Sequence, residues 1–217
     1  HAGAAGGFID LYGYPFCRGR VFSDLETDNG QYNSVIDVFW ATGACLFIRS
    51  NAYSEAGGLD DDFFAHMEEI DLCWRLKSRG KRIVCLPQSE VYHLGGGTLN
   101  TENPHKTYLN FRNNLLMLYK NIPSFRLRKV FFMRWLLDNV AALKMMLSGE
   151  YPNAKAVYQA RSDFKKMKKS FKKKRKENME KTVSYDLQEM YFKSLVLSYY
   201  LKKKNTFQKL IKSKNKK

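Results

Sequence analysis

Apolar and polar positions along the chain fall into two patterns that meet near Pro104. Before it the apolar runs are short. The run VFWATGACLFIR over 38–49 is rich in β-formers and predicts a strand or strand pair with Gly43 at a close-packed point. KRIVCLP predicts a buried strand stopped by Pro87, and EVYHLGGG a second short strand that runs into a glycine loop. Between them, EAGGLDDDFF reads as a turn: Gly57 and Gly58 supply backbone freedom and Asp60, Asp61 and Asp62 supply capping oxygens. A helix follows over 67–79, with Gly80 suited to its left-handed C-cap.

After Pro104 the spacing turns helical. KTYLNFRNNLLMLYKNI repeats apolar residues at helical intervals until Pro123 breaks it. VFFMRWLLDNVAALKMMLSG is the most apolar segment, but Arg134, Asp138 and Lys144 keep every charge-free run far below the ~18 residues of a spanning helix. A lysine-rich helical stretch carries Phe164, Met167 and Phe171 on one side, and DLQEMYFKSLVLSYYL predicts one further helix before a basic tail. The fold class expected is α/β, followed by a mostly α-helical basic extension, with units at 1–105 and 106–217.

Charge sharpens that division. The 217 residues carry a net +16. Residues 1–110 hold nine Lys or Arg against 14 Asp or Glu, a net −5, and residues 111–217 hold 28 against seven, a net +21. At 44% hydrophobic and 14% aromatic residues the chain has the makings of a packed core and none of the signature of disorder. Cys17, Cys45, Cys73 and Cys85 form no CxxC pair and sit among apolar neighbours, which predicts buried thiols in a reducing compartment rather than a disulfide or zinc framework. The opening residues lack a basic and an apolar region and are no signal peptide; they look like the middle of a domain.

The chemistry concentrates in FFAHMEEIDLCWRL, residues 63–76. Glu68, Glu69 and Asp71 stand within four positions, between His66 and Arg75 and among Phe63, Phe64, Met67 and Trp74. One reading is ordinary: acids in a first turn complement the helix dipole, and Asp71 with Arg75 makes an i,i+4 pair. The other is a cleft wall, where carboxylates near apolar surface and near one another gain basicity. A second polar group, His93 in VYHLGGG, favours the cleft.

The stretch from WATGACLFIRSNAYSEAGGLDDDFFAHMEEIDLCWRLKSRG to KRIVCLPQSEVYHLGGGT resembles the C-terminal part of the catalytic domain of family 2 glycosyltransferases, inverting enzymes of the GT-A fold. Among them it is similar to bacterial enzymes that add rhamnose or other sugars to cell-surface polysaccharides. The resemblance implies that the acidic motif falls on Glu68, Glu69 and Asp71, with Glu68 or Glu69 as general base. It implies His93 as a metal ligand for a divalent cation, Mg or Mn, in the full-length enzyme. Trp40, Thr42, Gly43 and Ala44 would line the acceptor side, and Phe64 and Trp74 would offer an acceptor platform. A nucleotide-sugar donor and a glycan or lipid-linked acceptor are the implied substrates.

The family's strand-borne Asp-x-Asp does not precede this stretch, since DLETD and LDDDF sit in turn-like contexts. The expectation is an incomplete copy that lacks the nucleotide-binding half and is inactive alone. For the basic helices, an anionic membrane surface is preferred, with Phe131, Phe132, Trp135, Leu136 and Leu137 at the interface and the protein peripheral at the inner face. Nucleic acid is disfavoured, because the lysine runs lack interleaved aromatics and a recognisable binding fold. The competing reading is a non-catalytic binding module on the same scaffold.

Overall fold

The computed structural model describes residues 5–92 and 103–211. Four short strands open the chain: β1 (Gly7–Asp10), β2 (Pro15–Cys17), β3 (Arg20–Val21) and β4 (Asp24–Leu25) form an antiparallel meander. β5 (Ile36–Asp37) follows, then helix α1 (Ser50–Ala56), helix α2 (Glu68–Ser78) and β6 (Val84–Cys85), which pairs with β5. Long helices come next: α3 (Pro104–Asn121), α4 (Ser124–Leu147), α5 (Tyr151–Met167) and α6 (Phe171–Glu180). The chain then returns to the first sheet as β7 (Met190–Tyr191), parallel to β1, and finishes with α7 (Leu195–Tyr200) and α8 (Phe207–Ile211). The strand order of the larger sheet is β4-β3-β2-β1-β7. The molecule is mixed α/β, as expected.

Two apolar layers sandwich β1. Ile9 points into a large core with Phe39, Trp74, residues Leu115 to Tyr119 of α3, Phe164 and Phe171. Phe8 points the other way, into a cluster with Phe16, Val38, Tyr191 and Leu195. A strand buried on both faces needs apolar residues at consecutive positions, and Phe8 and Ile9 meet that need in two residues. Buried polar groups tie the layers together. Asp10 accepts hydrogen bonds from the backbone N–H groups of Tyr12 and Tyr14 through Oδ1 and of Leu195 through Oδ2. Arg134 of α4 is buried, bonded to Asp138, to the Tyr12 carbonyl and to Asn114 of α3.

Several expectations hold. The predicted helix at 67–79 is α2, closed by Gly80 at φ +77° with its N–H on the Lys77 carbonyl. Pro123 separates α3 from α4, and Phe164 and Phe171 are buried. Others are corrected. The strand predicted over 38–49 does not form: after β5 the chain bends at Phe39, makes a single bridge from Trp40 to Gly7, turns in a 3-10 turn at Gly43–Cys45 and enters α1. The Thr42 side chain accepts the Ala44 N–H and starts that turn. Gly43 is not close-packed, since a Cβ there meets nothing within 4 Å. Gly7 plays that role, because a Cβ on it would lie 2.3 Å from the Trp40 ring.

The helix predicted over 186–201 is instead β7 followed by α7. Pairing of Met190 and Tyr191 with β1, and capture of the Leu195 N–H by Asp10, override the local helical spacing. Val91 and Tyr92 are exposed and in no strand, and the rest of that predicted strand lies outside the described residues. All four cysteines are free, but only Cys73 is fully buried.

Candidate functional site

The approach to α2 is backbone that ordinary residues avoid. Phe64, His66 and Met67 all have positive φ, at +62°, +67° and +73°. Such conformations cost about 1–3 kcal/mol each and persist where surrounding structure over-determines them. Helix α3 does this. The two hydrogens of the buried Asn113 Nδ2 are shared among the carbonyls of Phe63 (2.8 Å), Ala65 (2.7 Å) and His66 (2.8 Å). Arg112 adds bonds to the carbonyls of Asp62 and Phe63, and Asn114 bonds the Gly13 carbonyl. The triplet Arg112-Asn113-Asn114 was invisible as a site feature in the sequence, where it reads as a polar interruption of an apolar helix.

This clamp aims three polar side chains. Glu68 Oε2, Glu69 Oε2 and His66 Nε2 are buried atoms with no hydrogen-bond partner among the described residues. Burial raises the Glu69 carboxyl from its ordinary value to about 7, the neighbouring Glu68 charge adds to the rise, and N–H groups at the helix start pull back. Burial, and then Lys106, hold the His66 imidazole below its usual range, so it is neutral near pH 7. The Glu69 charge reaches Cys17 of β2 and Cys73 one turn along α2, two thiols that burial pushes up to about 12 and about 11.

Asp71, two positions further on, is different. It is fully buried, with Oδ1 accepting from Asn121 Nδ2 (2.7 Å) and Oδ2 from Arg75 Nε (2.8 Å) and Lys120 Nζ (2.9 Å). Lys120 also pairs with Asp60 at 2.7 Å. The expectation that Asp71 shares in the chemistry is therefore corrected: no oxygen of it is open to a substrate, and it anchors α2 to α3. The expected Asp71–Arg75 pair is present, inside the protein rather than on a solvated face. A groove of about 440 Å³ opens on this side of α2, lined by Asp60, Asp62, Arg79, Lys120 and Lys174 among others, and neither Glu68 nor Glu69 lines it.

The acceptor residues separate likewise. Trp40 is half-buried over Gly7, its indole N–H donating to the Phe8 carbonyl at 2.8 Å. Ala41 backbone meets the Cys73 thiol, so segment 40–44 passes the α2 face that carries Cys73 and, one turn earlier, Glu69. Gly43 and Ala44 are exposed on that segment, and Thr42 is half-buried. Phe64 is 80% exposed on the turn that leads into α2. Trp74 is only 4% exposed and packs edge-on against Phe39 in the core, so it offers no face to a sugar. His93 lies outside the described residues. Among the described residues no three or more His, Cys, Asp or Glu side chains are placed to hold a metal ion.

Comparison with known proteins gives partial matches. No family model and no solved structure matches the chain. It is 41% identical over 56 residues to the N-acetylglucosaminyl-diphospho-decaprenol L-rhamnosyltransferase of Mycobacterium tuberculosis, covering 26% of this chain and 18% of that protein. It is 29% identical over 93 residues to the O-antigen biosynthesis protein RfbC of Myxococcus xanthus, covering 43% of this chain and 7% of that one. It is 27% identical over 88 residues to the low-salt glycan biosynthesis hexosyltransferase Agl10 of Haloferax volcanii, covering 40% and 29%. The matches thus span under a third of each relative's length. Over these stretches the chain has a family 2 glycosyltransferase-like relationship to proteins named for sugar transfer or O-antigen biosynthesis.

Proposed function

We propose that this chain carries the acceptor side of an inverting sugar transferase of the GT-A type, with Glu69 as its general base. The observation that carries the reading is the Glu69 carboxylate: one oxygen buried without a described partner, and a pKa raised by burial to about 7. Partial similarity to rhamnosyl- and hexosyltransferases supports the reaction class.

The acceptor hydroxyl approaches between Phe64 and segment 40–44 and gives its proton to Glu69. Its oxygen attacks the anomeric carbon, the bond from that carbon to the nucleoside diphosphate breaks, and the configuration inverts. A base with a pKa near the working pH is well matched to this proton transfer. Glu68 raises the basicity of Glu69, the neutral His66 lies within its field, and the Asn113 clamp fixes the backbone from which all three project. Asp71 holds the helix.

The donor is a nucleotide-sugar and the acceptor a glycan or lipid-linked glycan, handled at the inner face of the membrane. The divalent cation implied by the resemblance would stabilise the departing diphosphate, with His93 its candidate ligand. None of the roles given to the described residues passes through it.

Transfer from a panel of nucleotide-sugars, measured for a full-length enzyme that contains this chain and for its Glu68→Gln and Glu69→Gln variants, tests the assignment. Loss of transfer in Glu69→Gln with the fold intact, and a milder loss in Glu68→Gln, is expected. Full activity in Glu69→Gln overturns it.

A further inference from the structure

Helix α4 buries one side and leaves the other bare. Val130, Arg134, Leu137, Asp138 and Ala142 face the protein. Phe132, Trp135, Leu136, Val140, Leu143 and Leu147 face outward, with Phe132 60%, Val140 61% and Leu147 82% exposed. Their spacing of three and four residues makes one stripe along the helix. A stripe of this length is far more than the scattered single apolar residues normal on a surface. It is apolar enough to need a partner, yet no described helix is long and apolar enough to cross a membrane.

The charges around the stripe identify that partner. Arg128 and Lys129 are exposed on its N-terminal turns and Lys144 near its other end. Lys144 lies over the Tyr200 ring of α7, 5.0 Å from its centroid, and joins the stripe to exposed Leu201 and Lys202. The only carboxylate of α4 is Asp138, which is buried between Arg134 and Arg161. The outward face therefore combines apolar side chains with cations and no acid. A second copy of this chain would set the same cations against themselves, whereas an anionic bilayer surface satisfies both components at once.

We infer that the outward face of α4 is a docking surface for anionic lipid, the helix lying in the plane of the interface with Trp135 and Leu136 at headgroup depth. The inference rests on the functional reading above only for the choice of membrane face. Vesicle binding needs no sugar donor, so its failure would leave transfer untouched, and the reverse also holds.

Co-sedimentation of the whole chain with phosphatidylcholine vesicles, with and without phosphatidylglycerol, is the test. Binding only to the anionic vesicles is expected. Removing both cations in the Arg128→Gln/Lys129→Gln variant should weaken it roughly 25-fold, at about fivefold per cation. Val140→Glu with Leu143→Glu should abolish it while the melting temperature stays within a few degrees, since both side chains point away from the core. Equal binding to both vesicle types, or binding to neither, overturns the inference. So does self-association in sedimentation velocity that Val140→Glu/Leu143→Glu dissolves, which would assign the stripe to a second copy. If the double Glu variant does not fold, the glutamine variant decides alone.

Discussion

Asp71 and Glu69 belong to one acidic motif on one helix, two residues apart, and the structure treats them oppositely. Around Asp71 both carboxylate oxygens are met by donors from α2 or α3, three in all and two of them charged. Around Glu69 one oxygen is buried and unmet among the described residues. Position on α2 alone makes the difference. Side chains two apart point about 200° apart, so one acid turns to Lys120 and Asn121 and the other to β2 and segment 40–44. A carboxylate surrounded by donors is an anchor, while a buried one short of donors and near another carboxylate has the raised pKa that the proposed base needs. The motif pairs the two on one helix, so that the anchor also fixes the position of Glu69.

The largest expected effect breaks the anchor. Asp71→Ala leaves Arg75 and Lys120 as buried cations short of a partner and should cost about 3–5 kcal/mol in urea unfolding. A loss below ~1 kcal/mol would mean that the network is not the anchor.

Removing the base should do the reverse. Glu69→Gln should lower the rate of transfer on the order of 10²–10⁴-fold while the fold gains stability at alkaline pH. The sign follows from the raised pKa. The folded state holds the Glu69 proton more tightly than the unfolded chain does. Its stabilising share is therefore complete below the unfolded carboxylate range and is lost as pH rises toward 7. Wild-type stability should fall across that interval by ~1–3 kcal/mol relative to Glu69→Gln, seen as diverging melting temperatures between pH 4 and pH 8.

A smaller effect tests the clamp. Asn113→Ala frees three carbonyls of a strained turn and should cost about 1–3 kcal/mol. It should also shift the pH profile of transfer, which a purely structural loss would leave in place. Smallest is Phe64→Ala: its ring is mostly exposed, so stability should change by less than ~0.5 kcal/mol while KM for the acceptor rises and KM for the donor does not.

Helices α2 to α5 were legible because apolar spacing, Gly80 and Pro123 state them locally. The sheet was not. β1 is four residues long, and its partner β7 lies about 180 residues away inside a segment with helical spacing, so only the tertiary pairing through Asp10 reveals it. Charge asymmetry suggested two units, yet β7, α7 and α8 pack onto the first sheet, and one core runs from Ile9 to Met190. At the site, composition found the acids but not their directions. Asp71 and Trp74 were grouped with Glu69 and Phe64 by proximity in sequence, whereas helix geometry turns the first pair inward. Asn113 carried no signal of its own, because its role depends on the left-handed turn 47 to 50 residues before it.

The most direct test is the titration of Glu69 itself, read from its side-chain carboxyl ¹³C resonance and assigned by the peak missing in Glu69→Gln. A midpoint near 7 is predicted. A Glu69 midpoint in the ordinary carboxylate range, around 4 to 5, would contradict the account.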